Sequence, residues 1–152
     1  MTRRVETVTL EIASRLDLID VIQTVLSRLA AAAGFDADAV HYMSVAVREA
    51  AINAIRHGNR FDASKRVGVS FSVSPAALEI SLRDEGGGFD PGAIRDPLAD
   101  ENLLRADGRG VFFMRSFMDE VMFSFPSRGG TVVRMVKKLG SPGVRVKEGR
   151  AG

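Results

Sequence analysis

Polar and apolar residues alternate from Glu6 to Ile12, with Val8, Leu10 and Ile12 on one side and Thr7, Thr9 and Glu11 on the other. That period of two marks a strand with one buried face. The period then changes: Leu18, Ile22, Val25 and Leu29 recur at helical spacing. With Ser14 and Asp17 as a capping box and Gly34 as a left-handed stop, a first helix is predicted over 15–33. A second helix opens after Asp36 or Asp38 and runs to about His57, closed by Gly58-Asn59, a pair suited to left-handed backbone. Val67, Val69, Phe71 and Val73 alternate, Ser74-Pro75 turns the chain, and Leu78, Ile80 and Leu82 alternate again, which reads as an antiparallel hairpin. A short helix follows from Val111 to Met118. A second hairpin pairs Val121–Phe125 with Thr131–Val136 across a turn at Arg128-Gly129-Gly130.

Between the first hairpin and the short helix, Asp84 to Gly110 is dense in Gly, Asp and Pro, and its few apolar residues (Ile94, Leu98, Leu103, Leu104) form no core pattern. So long a connection inside a compact domain is usually functional. The order strand, two helices, hairpin, glycine-rich loop, short helix, hairpin predicts an α+β fold. It is a two-layer sandwich whose mostly antiparallel, mixed sheet is covered on one face by helices. At 152 residues and 45% hydrophobic, the chain suffices for one such domain with a real core. The expected division is a folded domain over 1–139 and a basic, Gly-rich flexible tail over 140–152.

Composition narrows the chemistry. The chain has no cysteine, and its only histidines are His41 and His57, which excludes a thiolate or His-built zinc centre and a cysteine nucleophile. Lys+Arg 21 against Asp+Glu 19 leaves a formal charge of +2, too little for a nucleic-acid signature. The basic run Arg134, Lys137, Lys138, Arg145, Lys147 and Arg150 contains no interleaved aromatic. It reads as a solvated strand end and tail rather than a nucleic-acid footprint. No apolar run approaches the roughly 20 residues of a membrane span, and no signal segment opens the chain, so a soluble, cytoplasmic protein without membrane attachment is expected.

Three groups of residues carry candidate chemistry. Glu49, Asn53 and His57, spaced i, i+4, i+8, stack along one stripe of the second helix. Such a stripe is more often a solvated face, but this one carries a potential base and an amide oxygen able to ligate a hard cation. Asp84-Glu85-Gly86-Gly87-Gly88 directly follows a strand. Its glycines let a flat group approach the backbone, and Asp84 can accept from an exocyclic amine; the plain alternative is a glycine-rich turn with a solvated aspartate. Gly108-Arg109-Gly110 precedes the short helix and offers backbone N–H groups to an anion, or is merely a loop leading into the helix.

Taken in order, Glu49-x-x-x-Asn53, Asp84-x-Gly86-x-Gly88 and Gly108-x-Gly110 resemble the N, G1 and G2 boxes of the GHKL ATPase superfamily, the Bergerat fold. Within it, Arg48 to Gly58 and Phe117-Met118-Asp119-Glu120-Val121 resemble the small bacterial anti-sigma factor serine/threonine kinases, over about residues 5–138. The resemblance implies ATP and Mg²⁺ as cofactors, with Asn53 as the metal ligand and Glu49 as the base acting on the attacking hydroxyl. It implies that Asp84 binds the adenine amino group, with Gly86 and Gly88 beneath the base and Gly108 and Gly110 around the phosphates. Thr131 resembles the family's strand threonine near adenine, though a β-branched residue in a strand needs no such role. His57 reads as a packing or capping residue, and Gly58 and Asn59 border the nucleotide.

The lid departs from the family pattern. Residues 97–107 carry Asp100, Glu101 and Asp107, so Arg105 and Arg109 are the cations available to the phosphates. Val111-Phe112 replaces a leucine-led helix start. Two functions are therefore carried forward. One is an anti-sigma factor that sequesters a sigma factor and phosphorylates an antagonist protein. The other is a non-catalytic, nucleotide-gated binding module of the same fold. In either, the resemblance implies a homodimer, with the first helix and first strand as the expected contact, and residues 91–107 are expected to order on nucleotide.

Overall fold

The alternation at the N-terminus forms β1 (Glu6–Ala13), and a 3-10 turn (Leu16–Leu18) leads into α1 (Ile19–Ala33). Gly34 ends α1 with φ 100°, as the sequence predicts. Asp36 caps α2 (Ala37–Asn53), its carboxylate accepting from the Ala39 amide at 2.8 Å. A π-helical turn (Ala54–Gly58) continues α2 without a break. Next come β2 (Arg66–Val73), β3 (Ala77–Arg83), α3 (residues 110–117), β4 (Glu120–Ser124) and β5 (Val132–Lys138). The computed structural model describes residues 5–86 and 110–144, and the account below concerns these.

The strands form one sheet in the order β1-β2-β3-β5-β4, with every pairing antiparallel. Register places the apolar positions opposite one another across the whole sheet. Leu10, Val69, Leu82, Val133 and Phe123 form one row, and Val8, Phe71, Ile80, Met135 and Val121 the next. A one-residue slip would turn these rows to the polar side, so the pattern itself enforces the register. Ile22, Leu26 and Ala30 of α1 and Met43, Ala46, Val47, Ala50 and Ala51 of α2 are buried in the core formed with these strands. Thr7, Thr9, Ser70, Ser72, Glu79 and Ser81 occupy the alternate strand positions, and none of them is buried. There the Thr7 and Ser72 hydroxyls lie 3.3 Å apart, and Arg134 forms a two-point ion pair with Glu79.

Three local expectations change in the tertiary structure. Ser14 does not cap the first helix: its hydroxyl donates to the Lys65 carbonyl at 2.6 Å, and the following turn has no side-chain cap. Left-handed backbone falls not on Gly58-Asn59 but on Arg60 (φ 51°) and Phe61 (φ 58°), while Asn59 has right-handed helical angles. Lys137 is not solvated. It sits on the core side of β5 opposite Leu78, fully buried, and its Nζ donates to the Pro142 carbonyl at 2.5 Å. Arg134, by contrast, stays on the partly exposed polar face, where it pairs with Glu79. Ser141 donates its hydroxyl to Asp119 at 2.8 Å, so the chain beyond β5 still packs on the domain there. No helix among the described residues is long and apolar enough to cross a membrane.

Ile80 is fully buried at the centre of β3, whereas Ser81 beside it points to the polar face. Ile80→Ala is expected to cost about 2–5 kcal/mol of unfolding free energy through the cavity it leaves. Ser81→Ala should fall within about 0.5 kcal/mol of the parent. Urea unfolding curves compare the two; equal losses would contradict the assignment of sheet faces.

Candidate functional site

Where β3 leaves the sheet, alternation still points the next side chain, Asp84, toward the core side. Asp84 is only 5% exposed, and a buried carboxylate requires partners. Its Oδ1 accepts two backbone N–H groups, from Gly86 at 3.0 Å and from Thr131 at 3.1 Å. The Asp84 amide in turn donates to the Thr131 carbonyl at 3.1 Å, which extends the β3–β5 ladder by one residue. Burial raises the Asp84 carboxyl above its ordinary pKa; the Gly86 and Thr131 hydrogen bonds and the Lys65 and Arg83 charges pull downward without cancelling it.

Three glycines make room for this arrangement. A Cβ on Gly58 would lie 2.3 Å from both Cγ and Oδ2 of Asp84. On Gly86 it would meet the Gly58 carbonyl oxygen at 2.6 Å, and on Gly130, which also has φ +83°, the Asp84 carbonyl oxygen at 2.2 Å. The end of α2, the end of β3 and the start of β5 therefore converge on one carboxylate, and no side chain larger than hydrogen fits between them.

Asn53 and Glu49 are half-buried on α2, the first more than one turn and the second more than two turns before Gly58, while His57 in the π-helical turn is exposed. At the first residue of α3, a Cβ on Gly110 would lie 3.1 Å from Glu49 Oε2 and 3.6 Å from Asn53 Nδ2. The structure thus brings Glu49, Asn53 and Gly110 together, and separately Asp84, Gly86 and Thr131. Gly58 belongs to the second group and continues the helix that carries Glu49 and Asn53. Gly88, Arg105, Gly108, Arg109 and the lid over 91–107 lie outside the described residues.

Chemically, the Asp84 end offers a buried carboxylate whose Oδ1 takes two backbone amides, leaving the acceptor capacity of Oδ2 to suit a group bearing an N–H. The other end offers a carboxylate and a side-chain amide beside a helix start. Among the described residues, no group of three or more His, Asp or Glu side chains could hold a metal by itself. A donor set of one amide oxygen fits Mg²⁺, which usually takes few protein ligands and completes its shell with phosphate oxygens and water.

In the sequence Asn59 was legible as a helix terminator and, through the resemblance, as a neighbour of the nucleotide, but not as the centre of a buried hydrogen-bond network. In the structure it is 1% exposed and makes three hydrogen bonds, to Ser14, Arg66 and Glu85. The first and last of these lie 45 and 26 residues away in sequence, so no local pattern signals them.

The histidine kinase-like ATPase domain family matches residues 12–137 of this chain, and the chain belongs to that family. It is similar to the serine-protein kinase RsbW of Bacillus licheniformis, 30% identical over 148 residues that cover 91% of this chain and 89% of the relative. The RsbW of Bacillus subtilis is 27% identical over 145 residues, with the same shares covered. That of Listeria monocytogenes serovar 1/2a is 25% identical over 138 residues, covering 87% of each chain. Among solved structures, the histidine kinase domain of the Erythrobacter litoralis EL346 blue-light activated histidine kinase aligns with 17% identity and a TM-score of 0.48, over 84% of this chain and 62% of that one.

Two expectations follow from the buried carboxylate. Because the fold raises the Asp84 pKa above its unfolded value, the folded state binds this proton more tightly; the contribution of Asp84 to stability is fully present below the unfolded pKa and is lost as pH rises through the folded one. Asp84→Asn, which keeps an oxygen for the Gly86 and Thr131 amides, should therefore melt above the parent at about pH 8. That gain should shrink toward about pH 4. Thermal melts at the two pH values check this, and a gain independent of pH would contradict it. Gly58→Ala must displace the carboxylate and should cost about 1–3 kcal/mol in urea unfolding.

Proposed function

We propose that the chain is an ATP-dependent serine/threonine protein kinase that acts as an anti-sigma factor in the cytoplasm, sequestering a sigma factor and phosphorylating an antagonist protein. The observation that carries this reading is a buried, glycine-walled Asp84 against the π-helical turn that continues α2, together with Glu49 and Asn53 in the last turns of α2 itself, which face Gly110. Family membership and similarity to proteins named serine-protein kinase over nearly their full length support it.

In this reading Asp84 Oδ2 accepts from the adenine amino group, with Oδ1 committed to backbone amides. Gly86 and Gly88 lie beneath the base, and Thr131 borders it. Gly108 and Gly110 present backbone N–H groups to the phosphates, and Arg105 and Arg109 offset the lid's acidic residues. Asn53 ligates Mg²⁺, which when bound neutralises phosphate charge. Glu49 accepts the proton of the attacking serine or threonine hydroxyl. Phosphoryl transfer depends mainly on positioning and charge stabilisation, so one base, one metal ligand and a backbone cradle suffice. The protein works as a homodimer through α1 and β1.

Phosphate transfer from labelled ATP to a cognate antagonist protein tests the reading. Glu49→Gln is expected to lower transfer by about 10²- to 10⁴-fold while ATP binding persists. Undiminished transfer would remove Glu49 as the base. Tight Mg²⁺-dependent ATP binding with no transfer by the parent would instead favour the nucleotide-gated binding module.

A further inference from the structure

We infer that Asn59 is a positioning residue that aims Asp84 at the nucleobase by fixing the Glu85 amide, an inference that rests on the proposed adenine site. Asn59 Oδ1 accepts from the Glu85 N–H at 2.7 Å, while Nδ2 donates to Ser14 Oγ at 3.0 Å and to the Arg66 carbonyl at 3.0 Å. Both amide hydrogens and the carbonyl oxygen are thus used. Rotating the amide by half a turn would face its N–H₂ toward the Glu85 N–H and its oxygen toward the Arg66 carbonyl, so one orientation is allowed.

The directions in the rest of the network agree. Ser14 Oγ has one proton, which it donates to the Lys65 carbonyl at 2.6 Å, leaving a lone pair for Asn59. The Arg66 amide donates to Glu85 Oε2 at 2.6 Å, a second tie between β2 and the same residue. Asn59 therefore joins the exits of β1 and β3 and the start of β2 to the end of α2. Asp84 is held from the opposite side by Thr131, through its own amide and through Oδ1. Residues 84 and 85 are gripped alternately, one by Thr131 at the entry to β5 and the next by Asn59, which leaves the Asp84 carboxylate little freedom to rotate. A hydrophobic or smaller residue at 59 would release the Glu85 side of that grip and leave the Arg66 carbonyl without its side-chain donor.

A purely structural role and a positioning role differ in nucleobase selectivity. A carboxylate fixed at this point accepts from the amino group of adenine and repels the carbonyl oxygen that guanine carries there. Dissociation constants for ADP and GDP, with a thermal melt of each variant, separate the roles. Asn59→Ala is expected to weaken ADP by about tenfold or more while GDP changes little, so that the selectivity ratio collapses. An unchanged ADP-to-GDP ratio in a folded Asn59→Ala protein would overturn the inference, whatever happens to its melting temperature. Ser14→Ala provides the second variant if Asn59→Ala does not fold. It removes one support of the Asn59 amide but leaves the Glu85 bond, and should lower the same ratio by a smaller factor; an unchanged ratio there counts equally against the inference. Asp84→Asn is the control on the underlying site: if it leaves ADP binding intact, the adenine assignment itself fails. If it abolishes selectivity while Asn59→Ala and Ser14→Ala do not, only the role of Asn59 fails.

Discussion

A carboxylate withdrawn from water must be given hydrogen bonds or be protonated, and the arrangement around Asp84 is governed by that requirement. Two backbone amides, from Gly86 and Thr131, converge on one of its oxygens. To bring them there, β3 must run one ladder step past its last regular residue and the turn into β5 must pass against the Asp84 backbone. Gly130 answers the second demand with φ +83° and the absence of a Cβ. Gly58 and Gly86 answer the packing that results, one against the carboxylate and one against the helix end. Even so the carboxyl stays above its ordinary pKa, so the fold carries an unrelieved cost there. Groups kept under such conditions serve binding or chemistry more often than stability.

The two-layer build explains how that carboxylate comes to face the end of α2. Apolar rows running across all five strands set the plane of the sheet, and α1 and α2 cover its buried side. Alanines at 46, 50 and 51 are buried on α2. The π-helical turn at Ala54–Gly58 then widens the last turn of the helix, a feature often found at functional sites. Glu49 and Asn53, earlier on the same helix, reach the start of α3 at Gly110. A single helix therefore links the two halves of the site, and movement at its C-terminal end would alter the distance between them.

Buried polar groups elsewhere follow the same rule of satisfaction. Lys137 reaches the Pro142 carbonyl, and Asn59 uses every donor and acceptor it has. Among the described residues no buried side-chain nitrogen or oxygen lacks a hydrogen-bond partner. These networks connect strands and helices distant in sequence, and so they make the geometry at the end of β3 a property of the whole domain.

What could be read from the sequence was whatever has a period or a short-range steric cause. The strand alternation in 6–12, 67–73 and 78–82, the helical spacing of Leu18 to Leu29, the stop at Gly34 and a helix start after Asp36 or Asp38 all act within a few residues, and each appears in the structure, with Asp36 as the cap. The ordered spacing of Glu49, Asn53, Asp84, Gly86 and Gly110 was likewise enough to resemble a family to which the chain belongs. Other features depend on partners far along the chain, and only the tertiary structure decided them. Ser14 looked like a helix cap because Asp17 is near, but the Lys65 carbonyl and the Asn59 amide take its hydroxyl. Gly58 looked like a conformational stop, yet it is glycine because Asp84, on another element, fills the place of its side chain. Lys137 looked solvated because its neighbours are charged, but the strand's alternation turns it inward and a returning segment supplies its acceptor. Local sequence specifies what the backbone prefers; which polar groups find one another is settled only when the sheet and helices close around them.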